Sequence, residues 1–259
     1  MSTYFITDSH LGSGSDSAQR ERDLVRFLDS IEPDCECLML LGDMFDFWFS
    51  YRYVVPRGYV RLLGKLAQMA DKGIEIHYFI GNHDMWMFDY LEKEIGITMH
   101  SDPVEMTLGG KRFLIGHGDG VGGLDKHYLM LRRTFRCRFN QWLFAHINPG
   151  IGFRIALRWS NSSRRSHGRK YEEYLGDDKE DIIVFCHKQL RQKDYDYFVF
   201  GHRHLPIVKV IEETSCPCDT KAEDRQATYV NVGNWIDHRD YAVFDGSTLQ
   251  TKTFAPDQK

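Results

Sequence analysis

Apolar and polar positions alternate along the first half of the chain with two different spacings. Short continuous apolar runs predict buried strands at residues 4–7, 37–41 and 74–80. Between and after these runs, apolar residues recur at helical spacing and predict helices at residues 17–30, 57–70 and 85–95. Strands that alternate with helices in this way are typical of an α/β fold.

The second half of the chain has more closely spaced strands and one long helical segment. Strands at 105–108 and 112–115 flank the turn signal Gly109-Gly110, and further strands are predicted at 197–200, 207–211, 227–232, 241–244 and 248–254. The pattern of residues 125–187 is helical, with a break at Asn148-Pro149-Gly150. We therefore predict one domain over residues 1–259, with a mixed sheet or two packed sheets, flanking helices, and residues 123–187 inserted as a helical cap.

Five of the predicted strands or hairpins are followed at once by polar side chains. The five clusters are Asp8-Ser9-His10, Gly42-Asp43-Met44-Phe45-Asp46, Gly81-Asn82-His83-Asp84, Gly116-His117-Gly118-Asp119 and Gly201-His202-Arg203-His204. Loops beyond the carboxyl ends of strands line the ligand crevice in open α/β sheets, and glycine lets the backbone approach closely there. We expect the five clusters to face one site.

Seven residues in these clusters are donors suited to divalent metals. They are Asp8, His10, Asp43, Asn82, His117, His202 and His204. None is a cysteine, which disfavours soft-metal chemistry. Seven donors exceed the needs of one tetrahedral zinc ion, so they suit two ions that share one carboxylate. Phosphatases and nucleases use such metal pairs to activate water and to stabilise the leaving oxygen.

Composition and charge narrow the class of protein further. The chain has 259 residues, of which 42% are hydrophobic, and no apolar run approaches the length of a membrane span. Six cysteines without disulfide-framework spacing indicate reduced thiols in a cytoplasm. The net charge is −4, yet residues 126–170 hold eleven Lys or Arg and no Asp or Glu, which leaves −15 for the rest of the chain. This basic block needs a functional explanation.

Large apolar residues are interleaved with the basic ones in this block, and four interpretations are open. The helices can lie on an anionic membrane. They can instead form a cap over an apolar slot for a lipid chain, with arginines holding phosphate. They can stack bases and bind the backbone of a nucleic acid. They can also simply pack their apolar face on the core, with the arginines in water.

The ordered motifs Asp-x-His, Gly-Asp-x-x-Asp, Gly-Asn-His-Asp, Gly-His-Gly-Asp and Gly-His-x-His resemble those of calcineurin-like metallophosphoesterases. The resemblance implies a two-sheet β-sandwich flanked by helices. It also implies one metal held by Asp8, His10 and His204, another held by Asn82, His117 and His202, and Asp43 bridging them, with Mn²⁺ as the expected ion. By the same likeness Asp43 and His83 are catalytic. His83 would face the phosphate, either steadying its charge or protonating the leaving oxygen, while Asp84 anchors His83 or caps a helix and Asp46 orients a ligand.

The segments HGDGVGGLDKHYLMLRR, NQWLF and RIALRWSNSS resemble the UDP-2,3-diacylglucosamine hydrolases of the lipid A pathway of Gram-negative bacteria. The likeness implies attack of metal-bound water on the α-phosphorus, with UMP and 2,3-diacylglucosamine 1-phosphate as products. It also implies acyl chains held in a helical lid, and a cytoplasmic protein attached peripherally to the inner membrane. The residues carried over to substrate contacts are Asp125, Tyr128, Ser163 and Lys170, with Trp48 and Met85-Trp86 near the mouth.

This chain departs from that second group at two positions. Its His83 stands where the motif usually has arginine, and Ser160 stands where the lid usually has arginine, for which Arg158 or Arg164 would compensate. Two other functions therefore stay open: a nuclease or nucleotide phosphodiesterase with a nucleic-acid-binding cap, and a scaffold of the same fold without catalysis. The expected partners are an anionic glycolipid-nucleotide and the membrane surface, with nucleic acid less favoured and no protein partner inferable.

Overall fold

The computed structural model describes residues 1–213 and 224–256, and of residues 161–172 it describes the backbone alone. The elements follow the chain in this order: β1 (Ser2–Ile6), α1 (Ser17–Ile31), β2 (Cys35–Leu40), α2 (Val60–Asp71), β3 (Glu75–Phe79), α3 (Tyr90–Ile95), β4 (Thr98–His100), β5 (Val104–Leu108), β6 (Lys111–Ile115), α4 (Lys126–Arg136), α5 (Arg138–Ala145), α6 (Pro149–Glu172), α7 (Asp181–Leu190), β7 (Tyr197–Phe200), β8 (Ile207–Glu213), β9 (Arg225–Asn231), β10 (Asp240–Phe244) and β11 (Leu249–Thr253).

The strands form two mixed sheets. One sheet has the order β11-β10-β1-β2-β3-β4, in which β1 to β4 run parallel and β10 and β11 are antiparallel. The other has the order β5-β6-β7-β9-β8, in which β6, β7 and β9 run parallel between two antiparallel edge strands. The predicted α/β fold, with two mixed sheets flanked by helices, is confirmed.

The core lies in three apolar layers. Phe5, Phe79 and Phe113 fill the space between the two sheets. On the outer face of the first sheet, α1 and α2 bury one apolar stripe each, including Phe27 and Leu66. On the outer face of the second sheet, α7 packs through four fully buried or nearly fully buried residues, Ile182, Ile183, Cys186 and Leu190. Because both faces of the central strands are covered, their sequences are continuously apolar rather than alternating.

Three elements differ from the prediction. The strand β4 was missed because only three residues form it. The helix predicted at 85–95 begins at Tyr90, because Phe88 has a left-handed backbone (φ 51°) that interrupts any earlier helical turn. The cap predicted at 123–187 extends too far, because α7 is buried against the second sheet and so belongs to the sandwich. The helices outside the sandwich are α4, α5 and α6, which we call the lid.

Within the described residues, no helix is both apolar enough and long enough to cross a lipid bilayer.

Gly64 lies at an exposed position of α2, and a Cβ added there would meet no atom within 4 Å. Glycine inside a helix is destabilising by about 0.5–1 kcal/mol relative to alanine, because its unfolded backbone is freer. We therefore expect Gly64→Ala to raise the free energy of unfolding by about that amount in urea denaturation. As a control, Gly201→Ala should destabilise, because its Cβ would overlap Thr7 and Asp8. A Gly64→Ala protein that unfolds at lower urea concentration would contradict the assigned helix.

Candidate metal centre

The five polar clusters meet at one edge of the sandwich, where parallel strands of both sheets end. Asp8, Asp43 and Asn82 follow β1, β2 and β3 of the first sheet. The histidines of the second sheet follow β6 and β7, and they face the first sheet across the edge. The backbone N–H of His202 donates to Oδ2 of Asp8 at 2.9 Å, which ties the two sheets together at this point. Parallel strands that end at one edge therefore bring together residues up to 196 positions apart in the chain.

Strained backbone is concentrated at this edge. Five of the predicted metal-binding residues have left-handed backbones, with φ between 40° and 68°: Asp8, His10, Asp43, His202 and His204. This conformation is uncommon for residues with a Cβ, and each instance costs of order 1 kcal/mol or more. Such strain persists where the surrounding structure fixes it, and its clustering here indicates a functional site.

Two glycines allow the loops to approach this closely. A Cβ on Gly81 would overlap the carboxylate of Asp43, and one on Gly201 would overlap Thr7 and the carboxylate of Asp8. Both glycines precede predicted metal-binding residues. Their lack of a side chain lets the carboxylates lie against the neighbouring backbone.

A first group of three donor atoms comes from Asp8, His10 and His204. Oδ1 of Asp8 lies 3.0 Å from Nε2 of His204 and 3.6 Å from Nε2 of His10, and the two ring nitrogens are 3.2 Å apart. Asp8 and His10 are at most 1% exposed. Oδ1 of Asp8 is buried and lacks a hydrogen bond of good geometry, so these three atoms face one another rather than forming ordinary pairs.

A second group comes from Asp43, Asn82, His117 and His202. Nε2 of His117 lies 3.4 Å from Oδ2 of Asp43 and 3.2 Å from Oδ1 of Asn82, and donor atoms of Asp43, His117 and His202 all lie within 4.8 Å of one another. Oδ2 of Asp43 is also 3.8 Å from Nε2 of His10, which belongs to the first group. Asp43 therefore lies between the two groups.

The ionisation of these groups follows from their packing. Burial would raise the pKa of Asp8 and of Asp43, but nearby imidazoles, chiefly His204 and His117, hold both well below the ordinary value. Burial opposes protonation of His117, yet Asp43 raises its pKa to about 10. Burial, with His117 nearby, lowers the pKa of His202 to about 3. Two fully buried carboxylates are thus stable here only beside positive charge.

The donor set fits a pair of divalent cations. Ligand atoms about 2.1 Å from one ion lie roughly 3.0–3.4 Å from each other. The distances of 3.0–3.6 Å in the first group, and of 3.2 and 3.4 Å from His117 to Asn82 and Asp43 in the second, are close to this spacing. Carboxylate, amide and imidazole donors without sulfur suit borderline and hard divalent ions. Nδ1 of His117 points at the backbone oxygen of Leu41 at 2.7 Å, so its Nε2 is the nitrogen left to bind an ion.

His83 lies beside the first group and is held at three points. Its backbone N–H donates to Oδ1 of Asp43 at 2.8 Å, and its Nδ1 lies 3.1 Å from the backbone oxygen of Asp46. Its ring packs edge-on against His10, with centroids 4.6 Å apart. Oδ1 of Asp46 is 3.5 Å from Nδ1 of His10. Asp46 therefore contacts Nδ1 of both imidazoles.

Asp84 does not cap a helix at residue 85, because no helix begins there. Its carboxylate instead accepts from the backbone N–H of Gly81 at 2.9 Å, from that of Met44 at 3.0 Å, and from the hydroxyl of Tyr78. Burial, then the charge of Asp43, raises the pKa of Asp84 to about 7. Asp84 thus joins the loop after β2 to the loop after β3.

Trp48 is not at the mouth of the site, which corrects the prediction. It is completely buried, packs on Phe45 and Tyr90, and donates from Nε1 to Ser50. Apolar side chains that alternate in this loop turn to opposite sides, so Phe47 and Phe49 face the lid in its place.

The other predicted substrate contacts lie in or beside the lid. Trp86 is 8% exposed and donates from Nε1 to the backbone oxygen of Phe135 at 2.8 Å. Asp125 is exposed and caps α4 by accepting from the N–H of Tyr128. The Tyr128 ring lies 6.4 Å from that of His202. Arg158 is exposed on α6. The predicted contacts outside the described side chains are Ser163, Arg164 and Lys170.

The lid is attached to the sandwich by contacts that the sequence did not reveal. Phe135, Phe144 and Phe153 pack with Phe47, Phe49 and Trp86 in one aromatic cluster. On the other side of the site, the buried carboxylate of Asp119 accepts from the hydroxyl of Tyr128 at 2.8 Å and lies 2.9 Å from Nε of Arg132. The position of Asp119 in a Gly-His-Gly-Asp cluster was the only signal.

Two asparagines at and just after the end of β9 were also missed. The side chain of Asn231 donates to the backbone oxygen of Gly201 at 2.5 Å, and that of Asn234 donates to the backbone oxygen of His204 at 2.8 Å. Both stabilise the loop that carries two histidines of the site. The signal available in the sequence was an Asn-x-Gly-Asn motif at the end of a strand.

A two-sheet sandwich that gathers two carboxylates, an amide and four imidazoles at its strand ends is the architecture of a metal-dependent phosphoesterase. The model of the calcineurin-like phosphoesterase family matches residues 1–206, and the chain belongs to this family. The resemblance inferred from the motifs is thereby confirmed. The chain is a metal-dependent hydrolase.

Curated relatives that carry the name UDP-2,3-diacylglucosamine hydrolase include proteins of Porphyromonas gingivalis, Aeromonas salmonicida and Azotobacter vinelandii. That of Porphyromonas gingivalis is 37% identical over 260 residues, covering 95% of this chain and 95% of the relative. That of Aeromonas salmonicida is 28% identical and covers 92% of this chain and 87% of the relative. That of Azotobacter vinelandii is 26% identical and covers 99% of this chain and its own full length. The similarity thus extends through the lid as well as the sandwich.

Proposed function

We propose that this protein hydrolyses the pyrophosphate of UDP-2,3-diacylglucosamine, releasing UMP and 2,3-diacylglucosamine 1-phosphate. The observation that carries the proposal is the double donor group joined by Asp43 beneath a lid that is basic and rich in aromatic residues. The relatives of that name align over nearly the whole chain, lid included. A pyrophosphate is anionic and acyl chains are apolar, so both properties of the lid suit this substrate.

We infer the metal ligands from the two donor groups. We assign one cation to Asp8, His10 and His204 and the other to Asn82, His117 and His202, with Asp43 shared, and we expect Mn²⁺. When bound, such ions lower the pKa of water and balance charge on the phosphate oxygens. The protein's own contribution is to hold seven donors in fixed positions, five of them on strained backbone.

His83 is the proposed catalytic histidine. Its Nδ1 is engaged by the backbone oxygen of Asp46, so contact with substrate falls to Nε2. A ring whose Nδ1 already carries a proton donates from Nε2 only as the imidazolium. Burial lowers the pKa of His83, so the imidazolium needs a nearby anion. We propose that the substrate phosphate supplies this anion and that in this form His83 stabilises charge on the reacting phosphate.

The lid is proposed to bind the rest of the substrate. We propose Tyr128, whose ring lies 6.4 Å from that of His202, together with Asp125 and Trp86, as contacts of the substrate. Ser163, Arg164, Lys170 and the exposed Arg158 supply further polar and basic groups from α6. Trp48 is excluded from these contacts by its burial.

The lid also offers a surface for an anionic membrane. Among the lid side chains that the structure describes, seven large apolar ones are at least 50% exposed: Met130, Phe139, Trp142, Leu143, Ile151, Ile155 and Trp159. Four arginines of the same helices are also exposed: Arg133, Arg138, Arg154 and Arg158. Apolar side chains that enter the interface, combined with basic ones that attract anionic lipid, are typical of peripheral attachment. We propose attachment to the cytoplasmic face of the inner membrane.

Incubation with Mn²⁺ and UDP-2,3-diacylglucosamine is expected to release UMP, measured by chromatography. Bis(p-nitrophenyl) phosphate, which lacks nucleotide and acyl groups, is the control for intact metal chemistry. Cleavage of the control substrate without UMP release would rule out the glycolipid as the substrate and leave the assignment to the phosphoesterases intact.

The competing function is a nuclease, for which the stacked, exposed rings of Phe139 and Trp142 are the favouring observation. It predicts oligonucleotide cleavage and steeply salt-weakened binding.

A further inference from the structure

Ser160 of α6 turns inward although the residues before it face solvent. Its side chain is buried, at 7% exposed, whereas Arg158 and Trp159 are exposed. A small hydroxyl on a helix rich in arginine and large apolar residues reaches the loops after β2 and β3. The lid thus places a polar group inside the site.

This hydroxyl contacts two residues beside the metal centre. Oγ of Ser160 donates to Oδ1 of Asp46 at 2.9 Å and lies 3.2 Å from Nδ1 of His83. A carboxylate only accepts, so the single hydroxyl proton goes to Asp46, and the oxygen lone pairs face His83. Nδ1 of His83 also faces the backbone oxygen of Asp46. Both neighbours of Nδ1 therefore act as acceptors, which fixes the proton of His83 on Nδ1.

We propose that Ser160 of the lid is a positioning residue that orients the side chains of His83 and Asp46. The proposal rests on the catalytic role given to His83 under the proposed function. Asp46 and His83 are on the sandwich, and Ser160 is 77 residues beyond His83 in the chain. Packing of α6 on the sandwich therefore brings Ser160 into place and orients His83. The lid becomes part of the catalytic apparatus as well as a wall around the substrate.

Two other roles for Ser160 make different predictions. If the hydroxyl only packed, its loss would lower activity to the same extent with or without His83. If it contacted the substrate, its loss would raise KM for the glycolipid and leave hydrolysis of a small phosphodiester unchanged.

The test uses bis(p-nitrophenyl) phosphate with the Mn²⁺-loaded full chain. We expect Ser160→Ala to lower kcat about 10-fold with KM within about twofold, as is typical when an outer partner of a catalytic group is lost. Ser160→Thr keeps the hydroxyl and should restore most of kcat. The matched control is Thr134→Ala, because that exposed lid hydroxyl bonds only to the backbone of its own helix. In a His83→Gln background, Ser160→Ala should have no further effect.

A spectroscopic readout complements the kinetics. In the Zn²⁺-loaded protein, the Nδ1–H resonance of His83, assigned by its loss in His83→Gln, should shift in Ser160→Ala, return in Ser160→Thr and stay unmoved in Thr134→Ala. An unmoved resonance in Ser160→Ala, an equal loss of kcat in both backgrounds, or an effect on glycolipid KM alone overturns the proposal. Failure to release UMP from UDP-2,3-diacylglucosamine would overturn only the proposed substrate, since neither readout uses it.

Discussion

Asp43→Asn is expected to lower kcat by about 1000-fold. The substitution keeps the shape of the side chain, and an amide oxygen can still accept from the N–H of His83. It removes the one negative charge that lies between both donor groups, 3.4 Å from Nε2 of His117 and 3.8 Å from Nε2 of His10. Metal ions supply several kcal/mol of charge stabilisation to such reactions. Since each 1.36 kcal/mol is a factor of ten in rate, loss of about 4 kcal/mol gives the stated effect.

The metal content measures the same change independently. Elemental analysis of the purified variant should find fewer than two ions per chain, since a shared ligand contributes to both. Asp71→Asn is the matched control, because this carboxyl group is exposed at the end of α2 and remote from the strand ends that form the site. An Asp43→Asn protein with two bound ions and kcat within tenfold of the native value would show that the carboxylate is not shared.

The strands and the polar clusters that follow them could be predicted from the sequence because both signals are local. A buried parallel strand is a continuous apolar run, and the polar residues that follow it lie at a known end of the sheet. Asp8, Asp43, Asn82 and His117 could therefore be placed near one another without coordinates. The left-handed backbones at Asp8 and Asp43 could not, since these residues adopt that conformation only where tertiary contacts impose it.

Contacts between the lid and the sandwich were not predictable for a different reason. Ser160 and Asp46 are 114 residues apart, and nothing in a helical pattern tells which residue turns inward over a loop. The direction of the Trp48 side chain was not predictable either, because an aromatic residue beside a metal motif can face the core or the substrate. Its neighbours Phe47 and Phe49 reach the lid, and alternation along an extended loop was the missed clue. The end of the lid could not be predicted from the sequence for a similar reason. The amphipathic pattern of α7 is equally compatible with a lid helix and with a helix packed on the sheet.

His83→Gln is expected to lower kcat by about 100-fold or more while KM changes little. Positioned acid–base or charge-stabilising groups contribute about 10²–10⁴ in rate. Glutamine keeps the backbone N–H bond to Asp43 and a polar side chain, so both metals should remain bound. His238→Gln is the matched control, because His238 is an exposed histidine outside the site. A native-like kcat in His83→Gln would show that His83 is not a catalytic residue.

The role of His83 can be decided by the leaving group. In the proposed reaction the departing group is a phosphate ester, which leaves readily without a proton, so we expect His83 to act on charge at the reacting phosphate. A series of aryl esters of UMP, whose phenols span several pKa units, measures this directly. If His83 stabilises charge, its loss should reduce kcat by the same factor for every ester. A loss that grows with the pKa of the leaving phenol would instead assign proton donation to the imidazolium, because poorer leaving groups depend more on that proton.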